Sequence, residues 1–150
     1  VEVMTKVSLE VEGNMPHEFA MNGYEGEGGV PTSDSVTASV VNTAQDVAAE
    51  LIFALTNSGF TARMISRFKP DAGIIAATPN EVTFHQLALV GGCYPVKVKR
   101  ENTVNKVMEN IRKQCLKGKI AKKGDKIVVA AGVPFNDHGI GTNMMIVEEV

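Results

Sequence analysis

The residues best suited to chemistry form one short polar run, Thr56, Asn57, Ser58, Gly59, Phe60 and Thr61. The chemistry they suggest is the binding of an anion. Five apolar residues, Leu51-Ile-Phe-Ala-Leu55, precede the run and read as a strand buried on both faces. Ala62 to Phe68 follow and read as a short helix. A strand, a polar turn and a helix start bring unpaired backbone N–H groups and the positive end of a helix dipole to one place, where hydroxyls add donors. The competing reading is a simple cap, with Ser58 or Thr61 closing the helix end. A second run, Gly132 to Thr142, adds Gly132, Gly139, Gly141 and Thr142. Its glycines let backbone approach a ligand closely or take positive φ. Lys99 and Arg100 supply positive charge after a later strand.

Catalytic machinery is thin by comparison. His17, His85 and His138 share no metal-ligand spacing. His85 reads as a half-buried helix residue and His138 as an exposed loop residue. Asp71, Asp125 and Asp137 sit in turns by position, and neither a nucleophile elbow nor a Gly-x-x-x-x-Gly-Lys-Ser/Thr loop is present. Gly23 to Gly29 looks superficially like a nucleotide loop, but no strand precedes it and no helix follows directly. The expectation is a place to hold an anion, with no catalytic and no metal-ligating residue.

The elements that must position these runs alternate. Val1 to Glu12 reads as a helix, and 13–31 as a linker rich in glycine. From Thr32 onward comes a folded body. Thr32-Ser33-Asp34 reads as a capping cluster ahead of a helix over Ser35–Glu50, followed by the strand Leu51–Leu55. A strand over Gly73–Ala77 follows the helix to Phe68. The helix opened by Thr78-Pro-Asn-Glu81 should carry Val82, Leu87, Ala88 and Val90 inward. Cys93–Val98 reads as a strand near an edge because of Pro95, Thr103–Leu116 as an amphipathic helix ending at Gly118, and Lys126–Ala131 and Asn143–Glu148 as the last strands. The alternation and the uniformly apolar early strands imply an α/β fold, three layers α/β/α around a mostly parallel five-stranded sheet. Right-handed crossovers give the order 3-2-1-4-5, and the short link between strands four and five makes strand five antiparallel. The chain then reverses direction between strands one and four, where open sheets bind ligands, and the two polar runs leave from that point.

Composition narrows the partners. A 150-residue chain with a formal net charge of −2 is one domain with no general attraction to nucleic acid or membrane. Its basic residues crowd the later half without the aromatic interleaving that nucleic acid binding uses, and there is no Trp. No apolar run reaches the length that spans a bilayer, and the start lacks a signal-peptide pattern. Cys93 and Cys115 read as reduced thiols of a cytoplasmic protein. The start at Val1 suggests a fragment, a processed product or a trimmed chain.

Thr56 to Pro70, Ile75 to Glu81, Gly124-Asp125 with Ala131 to Pro134, and Gly141 to Met144 together resemble the C-terminal domain of pyruvate kinase, in the right order across Pro31 to Val150. Val1 to Glu12 resembles the last helix of the barrel domain that precedes it. The resemblance implies a regulatory and subunit-contact domain, usually within a homotetramer, of the glycolytic enzyme that transfers phosphate from phosphoenolpyruvate to ADP. It implies that the turn Thr56–Thr61 holds the phosphate of a phosphorylated small-molecule effector and that Gly132–Thr142 closes over it. Magnesium and potassium are implied for the whole enzyme and no cofactor for this segment, which lacks the catalytic barrel and is expected to be silent alone. Members that respond to fructose 1,6-bisphosphate often carry Lys where this chain has Asn57, and a Trp on a neighbouring loop. The departures favour a sugar monophosphate, a nucleotide monophosphate or no effector. A purely structural assembly module and a stand-alone phosphate-binding protein are the alternatives.

Overall fold

A computed structural model describes residues 1–14, 29–100, 103–134 and 141–150. The linker expected over 13–31, His17, His138, Asp137 and Gly139 lie wholly or largely outside the described residues. A helix, α1 (Glu2–Gly13), opens the chain with exposed side chains throughout Val1–Val11. The body runs α2 (Thr32–Asp46), β1 (Leu51–Leu55), α3 (Phe60–Ser66), β2 (Gly73–Thr78), α4 (Glu81–Leu87), β3 (Cys93–Lys97), α5 (Val104–Gly118), β4 (Lys126–Ala131) and β5 (Met144–Glu149).

The five strands form one sheet in the order β3-β2-β1-β4-β5. β1 pairs in parallel with both β2 and β4, β2 pairs in parallel with β3, and β5 runs antiparallel to β4. Strands covered on both faces must be apolar at every position, whereas an edge strand covered on one face alternates. The central strands Ile52–Ala54, Ile74–Thr78 and Ile127–Ala131 are buried at every position, and β5 alternates from Met144 to Glu149. Pro95 lies in β3 at the opposite edge, where its missing donor costs no ladder bond.

Helices cover both faces. On one side α2, α3 and α4 bury Val40, Ala44, Ile65 and Leu87 against Ile52, Ala54, Ile74, Ala76, Val128 and Ala130. Alanine at 54, 76 and 130 keeps this face low, which lets helix backbone approach the sheet. On the other side α5 seats Ile111 and Cys115 on Phe53, Ile75, Ile127 and Val129.

Helix ends depart from the expected positions for identifiable reasons. α2 starts at Thr32 with Pro31 as N-cap, so Thr32, Ser33 and Asp34 form its first turn and do not cap it. Asp34 there favours the positive helix end, and Thr37 and Ser39 bond back to the carbonyls of Ser33 and Ser35, at 2.6 and 2.8 Å. The helix stops at Asp46, short of Glu50, because Ala48 takes φ 53°. Ala49 N–H then reaches Ala44 O at 2.8 Å and Ala48 N–H reaches Gln45 O at 3.1 Å, the two bonds of a Schellman closure. α5 closes in the same way, with Lys119 rather than Gly118 taking the left-handed position, at φ 53°. In α4 the inward pair is Thr83 and Leu87, four residues apart, while Val82 is 64 % exposed and Ala88 is also exposed. Val90 packs partly buried against the core.

Candidate functional site

The turn after β1 is built by its own side chains. Thr56 N–H continues the ladder to Ala77 O at 3.0 Å, and Thr56 Oγ1 accepts from Gly59 N–H at 2.9 Å, closing a tight loop. Gly59 is the N-cap of α3 and holds φ 82°, a conformation that costs other residues about 1–2 kcal/mol. Neither Ser58 nor Thr61 caps α3, so the expected cap is replaced by backbone geometry at Gly59. The Asn57 carbonyl accepts from Thr83 Oγ1 at 2.7 Å, tying the turn to α4.

Arg63 folds back over this turn. Its guanidinium donates to Ser58 O at 2.9 and 3.4 Å, and a Cβ at Gly59 would lie 2.6 Å from its Nη1. The side chain of Arg63 therefore supplies a positive charge at the turn that the sequence reading had not assigned to it. The signal was present: Gly59 and Arg63 are four apart, and on a helix such residues share a face. α3 has only seven residues, so its dipole is a smaller source of positive potential than the guanidinium.

The second run meets the first at its carboxyl end. Thr142 Oγ1 donates to Thr61 Oγ1 at 2.9 Å across 81 positions of sequence, and the two side chains are 0 % and 4 % exposed. Gly141 sits between Ser33 and Phe60, so close that a Cβ there would lie 2.1 Å from Ser33 Oγ and 3.8 Å from a Phe60 ring carbon. At the base of the loop the Asn143 amide holds Val133, accepting from its N–H at 2.8 Å and donating to its carbonyl at 2.7 Å. Gly132 is half-buried beside this clamp.

The proposed residues thus fall into separate groups. Thr61 and Thr142 spend their hydroxyls on each other and join the loops. Thr56 spends its hydroxyl inside the turn. Asn57, Ser58 and Phe60 are exposed beside Arg63. Lys99 and Arg100 are exposed beyond β3, two strands from β1 and therefore roughly 10 Å across the sheet. Ser66 Oγ donates to Gly91 O at 2.6 Å and fixes α3 against the turn into β3. Burial there raises the Cys93 thiol above its ordinary pKa, partly offset by Ser66 and the nearby Arg63 charge. His85 is exposed and faces Glu81 at 3.2 Å. Among the described residues no three His, Cys, Asp or Glu stand together as a metal-binding group. No helix of the described residues is long and apolar enough to cross a membrane.

An open, doubly wound α/β domain with two loops meeting at its switch point is the class of protein this geometry defines. The chain belongs to the pyruvate kinase family: residues 34–148 match the family model described as pyruvate kinase, alpha/beta domain. It is 34 % identical over 145 residues to the pyruvate kinase of Lactobacillus delbrueckii subsp. bulgaricus, covering 97 % of this chain and 24 % of that protein. To the pyruvate kinase of Clostridium acetobutylicum it is 32 % identical over 150 residues, covering 100 % of this chain and 32 % of the relative. The chain therefore spans only about a quarter to a third of the relatives it matches. A solved pyruvate kinase from Cryptosporidium parvum shares the fold with a TM-score of 0.74 at 23 % identity, over 98 % of this chain and 29 % of that one.

Proposed function

We propose that this chain is the regulatory and subunit-contact domain of a pyruvate kinase, the glycolytic phosphotransferase acting on phosphoenolpyruvate and ADP, and that it binds a phosphorylated small molecule between its two switch-point loops. On this reading the reaction takes place on a barrel domain elsewhere in the enzyme, in the cytoplasm and within a homo-oligomer, with magnesium and potassium held there. This domain is then catalytically silent. The observation that supports the binding half is the buried Thr61–Thr142 bond, which ties the end of the second loop to α3, the helix whose Arg63 guanidinium folds back on the turn.

A guanidinium presents two parallel donors that match one phosphate. Arg63 can exchange its contact with the exposed Ser58 carbonyl for a charge-assisted one, with the Ser58 hydroxyl adjacent. Calorimetric titration of the full-length enzyme with a sugar monophosphate, a nucleoside monophosphate and fructose 1,6-bisphosphate tests this. Saturable heat for a monophosphate, weakened at least tenfold by Arg63→Ala, is the expected result. Absence of heat for every probe removes the binding half.

The second reading is an assembly module without effector. It is favoured by the neutral Asn57 and by the hydroxyls already spent on the scaffold. Ser58→Asp separates the two, because a carboxylate beside the turn repels phosphate without disturbing the core. Regulation unchanged by that substitution supports the module; activation lost with assembly intact supports the effector.

A further inference from the structure

We propose that Ser33, in the first turn of α2, is a positioning residue for the loop that follows β4, fixing where Gly141 and Thr142 meet α3; its ligand consequence rests on the phosphate reading above, its geometry does not. Gly141 packs directly on the Ser33 side chain, since a Cβ at 141 would lie 2.1 Å from Ser33 Oγ and 3.4 Å from Ser33 Cβ. The Ser33 backbone is held in place, so only its Oγ, by turning about χ1, can yield to a group added at 141. Its carbonyl accepts from Thr37 Oγ1 at 2.6 Å, and its neighbour Asp34 is buried and ion-paired with Arg67 at the end of α3. The residue after Gly141 is Thr142, fully buried against Thr61, and the next is Asn143, whose N–H bonds to Ala131 O at 3.1 Å. Three successive residues are thus held by three different elements, and Ser33 is the contact from α2. Packed interiors transmit small displacements because they have no slack. A larger side chain at 33 must push Gly141 outward and draw Thr142 away from Thr61.

Three variants of the full-length protein test this: Ser33→Val, Gly141→Ala, and Gly141→Ala combined with Ser33→Gly, with Ser33→Gly alone as the control for helix propensity. Two readouts are taken, affinity for inorganic phosphate and a sugar monophosphate, and hydrogen exchange at the Asn143 amide without ligand. Ser33→Val and Gly141→Ala are expected to speed Asn143 exchange and to weaken binding by roughly three- to tenfold, in the lower part of the coupling range of residues in contact. Adding Ser33→Gly to Gly141→Ala should restore both readouts toward the control, which a merely destabilising substitution does not do. A double variant as impaired as Gly141→Ala alone, or Ser33→Val indistinguishable from the parent in exchange, overturns the proposal. If the parent binds neither probe, the phosphate reading falls by itself, and Asn143 exchange still decides whether Ser33 positions the loop.

Discussion

Replacing Thr142 by Val changes one hydroxyl to a methyl at nearly constant volume, at a side chain with no exposure. The change leaves Thr61 Oγ1, itself 4 % exposed, without the partner it has at 2.9 Å. A buried polar group stripped of its partner costs about 1–3 kcal/mol, whereas a satisfied pair contributes only about 1 kcal/mol net. Thr142→Val alone and Thr61→Val alone should therefore each destabilise by about 1–3 kcal/mol. The pair together should cost at least about 1 kcal/mol less than the sum, because two methyls meet where two hydroxyls met. For a chain of this size each kcal/mol moves the midpoint by about 2–4 °C. Urea and thermal unfolding followed by circular dichroism reads the cycle, the absence of Trp making intrinsic fluorescence a weak probe. Strict additivity, or a Thr142→Val protein as stable as the parent, refutes the claim that these hydroxyls join the two loops.

Arg67→Ala should destabilise by about 1–3 kcal/mol, because it strands the Asp34 carboxylate in the interior; Arg67 is 43 % exposed, which holds the loss below the 3–5 kcal/mol of a fully buried pair. Denaturant unfolding checks the value, and Arg67→Ala combined with Asp34→Asn should recover part of it. The Lys97 ammonium, 2.6 Å away, holds the Glu81 carboxyl below its ordinary pKa of 4.5, with His85 adding a smaller effect. A depressed carboxyl pKa contributes stability that is present above the unfolded value and lost as pH falls through the folded one. Lys97→Ala should therefore raise the Glu81 pKa and flatten that acid loss, and added salt should mimic it in the parent, both followed by carboxyl NMR titration. Burial raises both thiols, so at mildly alkaline pH Cys93 should alkylate more slowly than a free thiol, and Cys115, with no exposure, only on unfolding; mass spectrometry reads both.

The sheet was legible because its physics is local in sequence. A strand buried on both faces must be apolar at every position, and Leu51–Leu55 and Ile127–Ala131 are. The short link from β4 to β5 admits only an antiparallel return, which the alternation of Met144–Glu149 accompanies. Helix ends were less legible because their determinants are not residue types. Ala48 and Lys119 both adopt positive φ where glycine would have advertised it, held there by two backbone bonds each. Val82 was misplaced because it lies five positions from Leu87, about 140° around a helix, while Thr83 at four shares its face.

The site shows the same division, and there it changes the chemistry. Topology alone could bring the two polar runs to one end of the sheet, since both follow strands that point the same way. It could not say which groups would remain available once the loops had packed. Folding uses Thr56 to close its own turn, Thr61 and Thr142 to hold the loops together, and the Asn57 carbonyl to hold α4. The polar groups credited from composition are thus largely engaged in holding the turn and the two loops in place. Arg63 adds a charge at the turn, returned there by helical spacing and given room by the missing Cβ of Gly59. Lys99 and Arg100, the second source of charge expected from sequence, stand two strands away. One guanidinium beside one exposed hydroxyl matches a single phosphate. On the proposed phosphate reading, a second phosphate would have to reach Lys99 and Arg100 across the width of β2, and the comparison of monophosphate with bisphosphate titrations reads whether it does.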